Sequence, residues 1–443
     1  MTENVSSDEA RRVRSSLERL SDRAPRASEP PPGMLRRARH RVVATAIAAA
    51  LAASATVLGG LELSRALISA NGSTPATGNE FSAPCRFDPL PLGTLPGGSG
   101  FVQANGSGAN DVWIGGYVAD PSHQESRALM YHWDGSSLSQ VDMPQGTPDV
   151  NSIAALSPSD AWIATLAGPE HFDGTGWSLV GNPVARGRPP QILGTLAIVA
   201  SSRNDVWAVG QSPPPLTSDL HETTPLAEHF DGSAWTETPT PEGPSSQVMA
   251  LWDVTSLGPD DAWAVGGDAA ATQPVAPVVL HFDGKAWTAV DVPVPAGRAY
   301  VGQAVSASGS DDVWVAADAV LPNPDQTPGL LLHFDGSGWR TVSIPAAPGT
   351  AVHLSSVDAA AQGDVWIGGR SYDLQTHRSA PFVQHFDGTN WVSVPVAGSE
   401  PGAEAAVRSV RVVGDEVWAV GYSRLDGSAG AANSLVPFVS VCR

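Results

Sequence analysis

Short apolar segments in which hydrophobic and polar positions alternate recur along most of the chain, separated by turn-forming residues. Alternation with a period of two is typical of half-buried β-strands rather than of helices. The unit is clear in residues 248–295, where four strands are predicted at 254–257, 262–267, 278–282 and 286–290. Asp-Gly separates the last two and favours a tight hairpin, because glycine adopts a positive φ without steric cost. Each repeat is therefore predicted to be a four-stranded antiparallel unit.

A tryptophan in the second strand of each unit marks the period of the repeat. It nearly always follows Asp-Val or Asp-Ala, and it occurs at Trp113, Trp162, Trp207, Trp263, Trp314, Trp366 and Trp418. Successive members are 49, 45, 56, 51, 52 and 52 residues apart. Such a period with strand-like patterning is typical of a β-propeller, in which one blade cannot bury both of its faces alone. The sequence predicts an all-β fold, a seven-bladed β-propeller of four-stranded blades.

The seventh repeat lacks a fourth strand at its C-terminal end. Its strands are predicted at 407–413, 416–422 and 435–442, whereas residues 85–92 resemble an outer strand followed directly by an inner one. The N-terminal strand is therefore predicted to complete the last blade, which closes the ring and removes a free sheet edge. Cys85 and Cys442, the only cysteines, become neighbours in this arrangement. In an oxidising exterior we expect them to form a disulfide.

Two of the repeats resemble the kelch repeat of galactose-oxidase-type propellers. The resemblance is carried by Val265-Gly266-Gly267 with Trp287, and by Ile367-Gly368-Gly369 with Trp391. It implies the same kind of propeller fold. The chain departs from the kelch pattern because the kelch tyrosine is absent and the second glycine is often replaced, as at Gln211.

An apolar segment without charges, residues 42–61, precedes the repeats. At 1.5 Å per residue a helix of this length spans a bilayer core. Residues 1–41 hold ten arginines and six acids, and several of the arginines lie directly before residue 42. By the positive-inside rule the N-terminus is cytoplasmic. We predict a basic cytoplasmic tail with a short amphipathic helix (1–41), a transmembrane helix (42–61), a linker (62–84) and a propeller outside the cell (85–443).

The predicted location is thus the cell membrane, with the propeller extracytoplasmic. The alternative is a secreted protein, because Ala53-Ser54-Ala55 would serve as a signal-peptide cleavage site. The leader resembles those of actinobacterial single-pass envelope proteins, some of which are linked to sigma-factor regulation. That resemblance implies a possible cytoplasmic partner for the tail.

Net charge narrows the range of partners. The formal charge is −20, and since residues 1–41 contribute +4 (10 − 6), the remainder carries −24. Phosphate binding needs clustered Lys or Arg, so this balance argues against nucleic acid. Besides the membrane, the predicted partner is an extracytoplasmic protein or glycan of unknown identity.

Residues that break the repeat near the central channel are the candidates for ligand binding. They are Asp253, Trp252, Tyr300, His353 and Arg408. Alternation predicts a channel-facing position in each inner strand, occupied by Gln103, Ser152, Ala197, Asp253, Ala304, Ser356 and Ser409. Asp253 is the charged member of that set. The variable loops at 116–127, 211–224, 268–276, 318–329 and 370–379 are expected on the rim where the blades connect.

The remaining polar repeats are interpreted as structural, and no cofactor or metal is predicted. Six blades have a histidine before Phe/Trp-Asp-Gly, and symmetry spreads these histidines round the ring, so we expect each to bond its adjoining turn. Acid pairs such as Asp260-Asp261 are expected to cap turns. No nucleophile elbow or His-Glu-x-x-His motif is present. The predicted function is a binding or interaction module. The alternatives are a propeller hydrolase, lyase or oxidase acting on envelope or extracellular polysaccharide, and an envelope sensor that signals through its tail.

Overall fold

The computed structural model describes residues 84–443 with internal gaps. The gaps are 94, 96–97, 121–124, 181–193, 213–222, 242–248, 269–270, 272, 322, 398–403 and 425–434. The predicted tail, the predicted transmembrane segment and nearly all of the linker lie outside the described residues. Within the described part, no helix has the length and apolar character needed to cross a membrane.

The described residues form seven four-stranded antiparallel sheets, as predicted. Blade 1 contains β2 (Ser99–Gly108), β3 (Asp111–Asp120), β4 (Glu125–Trp133) and β5 (Leu138–Val141). Blade 2 contains β6 (Val150–Ser157), β7 (Asp160–Thr165), β8 (Gly168–Phe172) and β9 (Trp177–Leu179). Blade 3 contains β10 (Gly194–Ser202), β11 (Asp205–Ser212), β12 (Thr224–Phe230) and β13 (Trp235–Glu237).

The remaining blades follow the same order. Blade 4 contains β14 (Met249–Gly258), β15 (Asp261–Asp268), β16 (Val278–Phe282) and β17 (Trp287–Ala289). Blade 5 contains β18 (Ala299–Gly309), β19 (Asp312–Leu321), β20 (Leu330–Phe334) and β21 (Trp339–Val342), with a 3-10 turn at Pro324–Gln326. Blade 6 contains β22 (Thr350–Ala361), β23 (Asp364–Asp373), β24 (Ser379–Phe386) and β25 (Trp391–Ser393). Blade 7 contains β26 (Glu404–Val413), β27 (Glu416–Arg424), β28 (Leu435–Cys442) and, from the other end of the chain, β1 (Phe87–Pro89).

The predicted ring closure is confirmed. Strand β1 pairs with β28, so that Phe87 lies opposite Cys442. Cys85 and Cys442 form a disulfide across a sequence separation of 357 residues, with their Cα atoms 5.6 Å apart. Phe87 is fully buried. The N-terminal strand therefore supplies the outer strand that the C-terminal end of the chain lacks.

Each blade is locked to the next by the tryptophan of its second strand. Trp113 packs against Phe172 and Trp177 of blade 2, with ring centroids 5.1 and 5.4 Å away. The same two contacts recur for the tryptophans of blades 2 to 5. Trp366 of blade 6 meets Phe87 of β1, and Trp418 of blade 7 meets Trp133 of blade 1. The period of the tryptophans is therefore the period of the interfaces between blades, and their burial supplies a large part of the core.

The repeated histidines bond an aspartate rather than the turn that was predicted. In each of six blades His Nε2 contacts the Asp that begins the tryptophan strand, at 2.6–3.0 Å, as for His132 with Asp111. The imidazole also lies against the tryptophan ring, as for Trp314 and His333 at 4.0 Å between centroids. The second Asp of an acid pair thus contacts the histidine through its carboxylate instead of capping a turn. These groups lie at the rim away from the variable loops, and they stabilise the blade.

Blade 7 replaces this pair with different residues. Glu416 stands where the other blades have aspartate, and the Arg443 side chain donates to its Oε1 at 2.6 Å. Arg443 also lies over the ring of Trp133 in blade 1, 5.5 Å from its centroid. The C-terminal residue therefore joins the last blade to the first at this rim.

Candidate functional site

All seven inner strands carry a β-bulge at the same place. At this place in each ladder one residue of the inner strand has no partner on the second strand, and these residues are Val102, Asn151, Leu196, Trp252, Gln303, Ser355 and Arg408. A bulge inserts one extra residue, bends the strand and redirects a side chain. The bulges lie toward the end of the inner strands where the variable loops begin. They therefore form a ring at the mouth of the channel, on the loop rim.

The bulge residues are the partly exposed positions of this part of the inner strands. Each is partly exposed, whereas the residue before it is buried in every blade, as for Val150 and Leu251. Two of the polar side chains reach the next blade: Asn151 Nδ2 donates to the carbonyl of Thr195 at 3.2 Å, and Ser355 Oγ donates to that of Val407 at 2.6 Å. The bulge side chains therefore lie over the seams between neighbouring blades.

The residues predicted to face the channel lie in those seams instead. Ser152 Oγ bonds the backbone of Ile198 in the next blade, and Ser356 Oγ does the same with Val410. Five of the seven members are at most 7% exposed, namely Ser152, Ala197, Ala304, Ser356 and Ser409. The bulge explains the difference, because it places two consecutive side chains on the same face and breaks the simple alternation. These small residues are needed where inner strands pack against each other.

Trp252 is set apart from the other tryptophans by its position. The remaining thirteen of the fourteen tryptophans take part in aromatic contacts between or within blades. Trp252 is a bulge residue and has no aromatic partner among the described residues. The residue is partly exposed at the channel mouth, and its indole Nε1 is buried without a hydrogen-bond partner among the described residues. The propeller repeat therefore does not account for a tryptophan at this position.

The other predicted site residues divide into two groups. Arg408 is a bulge residue like Trp252, but on blade 7. Tyr300 and His353 are 2% and 3% exposed and lie within the strands. His353 Nδ1 contacts Asp318 Oδ1 at 3.0 Å, and its Nε2 contacts the carbonyl of Asp325 at 3.1 Å. His353 therefore forms part of a buried network under the loops of blades 5 and 6, and Tyr300 is buried in β18. Trp252 and Arg408 lie at bulges and reach the mouth.

Asp253 holds two inner strands together in the channel wall. Its Oδ2 accepts a hydrogen bond from the Val305 amide at 2.9 Å. Burial raises the pKa of Asp253 to about 6, and the hydrogen bond from Val305 and the charge of Arg411 oppose that rise. Because its carboxylate bonds the backbone of the next blade, Asp253 has a structural partner as well as a place beside the channel.

A second set of charged side chains lies two residues further along the inner strands. Aligning the blade sequences did not single it out. There, Arg411 Nη1 donates to Asp358 Oδ1 at 2.6 Å, and the Val412 amide donates to Asp358 Oδ2 at 2.7 Å. The corresponding blade 1 residue is Asn105, whose Oδ1 accepts from the Ala155 amide at 3.1 Å. The signal was present in the sequence, since an acid and a base stand at aligned positions of consecutive blades. This ion pair joins the inner strands of blades 6 and 7 below the mouth.

Arg408 belongs to a cluster with two tyrosines, Tyr117 and Tyr422, that the repeat pattern does not single out. Tyr117 is opposite Gly100 in the first two strands of blade 1, and a Cβ added to Gly100 would be 2.9 Å from the Tyr117 Cζ and Oη atoms. The phenol ring therefore crosses the inner strand and brings its hydroxyl to the mouth. Burial raises the pKa of Tyr117 to about 12, Arg408 is the charge that opposes this most, and Tyr422 and Asp149 also act on it. First and last blades thus meet in a cluster of donors.

The described part of the chain has no group of three or more His, Cys, Asp or Glu side chains placed to hold a metal ion. What the channel mouth offers is a ring of side chains with different chemistry: aliphatic, amide, hydroxyl, indole and guanidinium. Such a ring can contact a ligand through apolar packing and hydrogen bonds at once.

The sequence matches no protein-family model and no curated protein. Similarity to solved structures is found at the level of the propeller fold. A structure of YCF48 bound to D1 peptide has 11% identity and a TM-score of 0.47, covering 82% of this chain and 97% of that one. U3-55K has 10% identity and a TM-score of 0.49, covering 81% and 98%. The GH74 xyloglucanase from Xanthomonas campestris has 14% identity and a TM-score of 0.47, covering 80% and 55%. The kelch resemblance stays a prediction.

Proposed function

We propose that this protein is a membrane-anchored, extracytoplasmic propeller that binds a polypeptide ligand across the channel mouth on its loop rim. The observation that carries the proposal is the ring of bulge residues. Residues imposed by the blade recur in every blade, as the tryptophans do. The bulge residues stand at one structural position but are a different residue in each blade. A ligand that contacts each blade differently accounts for this variation.

The composition of the ring favours a polypeptide. Val102 and Leu196 are apolar, and the amides Asn151 and Gln303 can each donate and accept a hydrogen bond, as a peptide backbone requires. Trp252 supplies the kind of partly exposed aromatic anchor that dominates protein interfaces. Residues that lie far apart in sequence converge here because each blade contributes one. The loop rim is also where propeller blades vary without disturbing the core.

The extracytoplasmic location is supported by two independent features. The Cys85–Cys442 disulfide belongs to an oxidising compartment. The arginines directly before residue 42 favour an N-terminus inside the cell and a propeller outside. A single apolar segment of that length is sufficient for the anchor.

The test uses the full-length protein in lipid nanodiscs and a random peptide library with free C-termini. Peptides selected on the wild type should lose about 30-fold or more in affinity for the Trp252→Ala protein, the loss expected for a central aromatic hot spot. Leu257→Ala is the matched control, because Leu257 lies at the opposite end of the same strand, β14, and is 37% exposed. Selected peptides that bind both variants as tightly as the wild type would place the binding surface elsewhere. Selection of oligosaccharides but no peptides would overturn a polypeptide ligand.

A further inference from the structure

Most arginines of the described chain have a fixed acidic partner. Arg203, Arg370 and Arg411 are examples, with ion pairs of 2.8, 2.8 and 2.6 Å. Arg408 is different: among the described residues no carboxylate oxygen lies within 4.0 Å of its guanidinium and no side chain hydrogen-bonds to it. Arg424, another cation of this cluster, lies opposite Glu404 in the ladder. Arg408 thus lies at the mouth without a carboxylate partner among the described residues.

The surroundings of Arg408 include two phenol hydroxyls, which can donate hydrogen bonds. As a bulge residue it lies over the seam between blade 7 and blade 1, where Asn151 and Ser355 show the direction of such side chains in their own blades. The Tyr117 hydroxyl lies above the inner strand of blade 1 at Gly100, on the other side of that seam. Tyr422 is opposite Ala406, two residues before Arg408, on blade 7 itself. The Arg408 guanidinium and the phenols of Tyr117 and Tyr422 therefore belong to one cluster at this seam.

A partly buried cation without a partner is unfavourable, and a planar guanidinium fork matches an oxyanion that accepts two parallel hydrogen bonds. Phenol hydroxyls of the same cluster add donors for the same oxyanion. Resting on the proposed function, we infer that Arg408, clustered with Tyr117 and Tyr422, binds a carboxylate of the peptide ligand. This carboxylate fixes the direction and register of the peptide across the mouth.

A singly charged group fits this site better than a phosphate does. Asp149 belongs to the same cluster, with its Oδ1 buried and unbonded among the described residues. Burial raises the pKa of Asp149, and in its ionised form this carboxyl repels each negative charge on the ligand, so a doubly charged phosphate is opposed more strongly than a carboxylate. The chain outside residues 1–41 also carries −24, which disfavours a polyanion of any kind. One carboxylate on an otherwise weakly charged peptide can pair with Arg408 and brings only a single negative charge to the site.

A peptide carboxylate also fits better than that of an acidic sugar. The neighbours of Arg408 round the ring include Val102 on the next blade and Leu196 two blades further, and neither can hydrogen-bond a polyhydroxylated ring. Apolar side chains of a peptide can pack there while the carboxylate is held by Arg408. Acidic oligosaccharides are therefore expected not to bind, and they serve as a negative control in the test.

The experiment uses peptides selected on the full-length wild-type protein in nanodiscs. Each is synthesised with its C-terminal carboxylate free or amidated, and with any Asp or Glu replaced by Asn or Gln. Removing one of these carboxylates should weaken binding to the wild type by about tenfold or more, as for a charge-assisted hydrogen bond. For the Arg408→Gln protein the charged and neutral peptides should bind equally. Arg340→Gln, whose side chain is 60% exposed on β21, should behave as the wild type.

The neutral peptide serves as the control for folding, because it does not use Arg408 and should bind Arg408→Gln and wild type alike. If peptides bind in a Trp252-dependent way but no carboxylate matters, the carboxylate site is wrong and the peptide-binding function stands. If removal of the carboxylate weakens binding equally to the wild type and to Arg408→Gln, the assignment of the carboxylate to Arg408 is also contradicted. Binding of acidic oligosaccharides in place of peptides would overturn both.

Discussion

Removal of the Cys85–Cys442 disulfide tests how the ring is held closed. The change is Cys85→Ala, chosen because Cys85 is partly exposed whereas Cys442 is 1% exposed and packed in the core of blade 7. The remaining closure consists of three paired residues between β1 and β28 and the burial of Phe87 against Trp366. The variant therefore loses the covalent link while keeping most of the packing.

The expected size follows from the length of chain that the link encloses. For a loop of 357 residues, the chain-entropy relation gives about 20 cal/mol/K, or about 6 kcal/mol of unfolding free energy at 25 °C. Whole domains are stable by only about 5–15 kcal/mol. The loss is thus comparable with the entire stability of the protein. We expect Cys85→Ala to be marginally folded or unfolded at 37 °C.

The assay is urea unfolding of the full-length protein in nanodiscs, followed by tryptophan fluorescence, with and without reductant. Reduced wild type and Cys85→Ala should unfold at the same urea concentration, and both well below the oxidised wild type. Phe87→Ala in the oxidised protein is the control, since it weakens the packing of β1 and leaves the link intact. A Cys85→Ala loss below about 1 kcal/mol would refute the entropy argument and would mean that the pairing of β1 closes the ring unaided.

Two further predictions concern Asp253 and the topology of the chain. The folded pKa of Asp253, about 6, exceeds its ordinary value, so folding binds a proton and the stability from this group declines as pH rises from about 4 to 6. Asp253→Asn, whose amide oxygen can still accept from Val305, should abolish that decline and gain about 1–3 kcal/mol at pH 7 in urea unfolding; a difference from wild type that does not change with pH contradicts this. A reporter enzyme fused after Ala83 should be active only outside the cell, and residues 1–41 should remain attached; a secreted form beginning near residue 56 would favour a signal peptide instead.

Much of the fold was predictable because its determinants are local and repeat. Asp-Gly hairpins, alternating apolar positions and the spacing of the tryptophans each depend on a few neighbouring residues, so one blade explains the next. The strand completing blade 7 was predictable as well, since a repeat short of one strand must be completed by a segment of matching pattern. The disulfide followed from that closure. Even the identity of Trp252 and Arg408 as departures from the repeat could be read from the chain.

The candidate site itself depends on features that a linear pattern does not carry. A β-bulge adds one residue to a strand without a distinctive residue type, so simple alternation misplaced five of the seven inner-strand positions and grouped the buried Tyr300 and His353 with the partly exposed Trp252. The histidines were assigned to their own turns because the sequence does not show which aspartate faces them across the ladder. Arg408 and Tyr117 are 291 residues apart (408 − 117), and they meet because the ring brings the last blade against the first. The sequence by itself determined the blade, its number and its closure, since these depend on local pattern and period; only the packing of blades round a closed ring decided which side chains share the channel mouth.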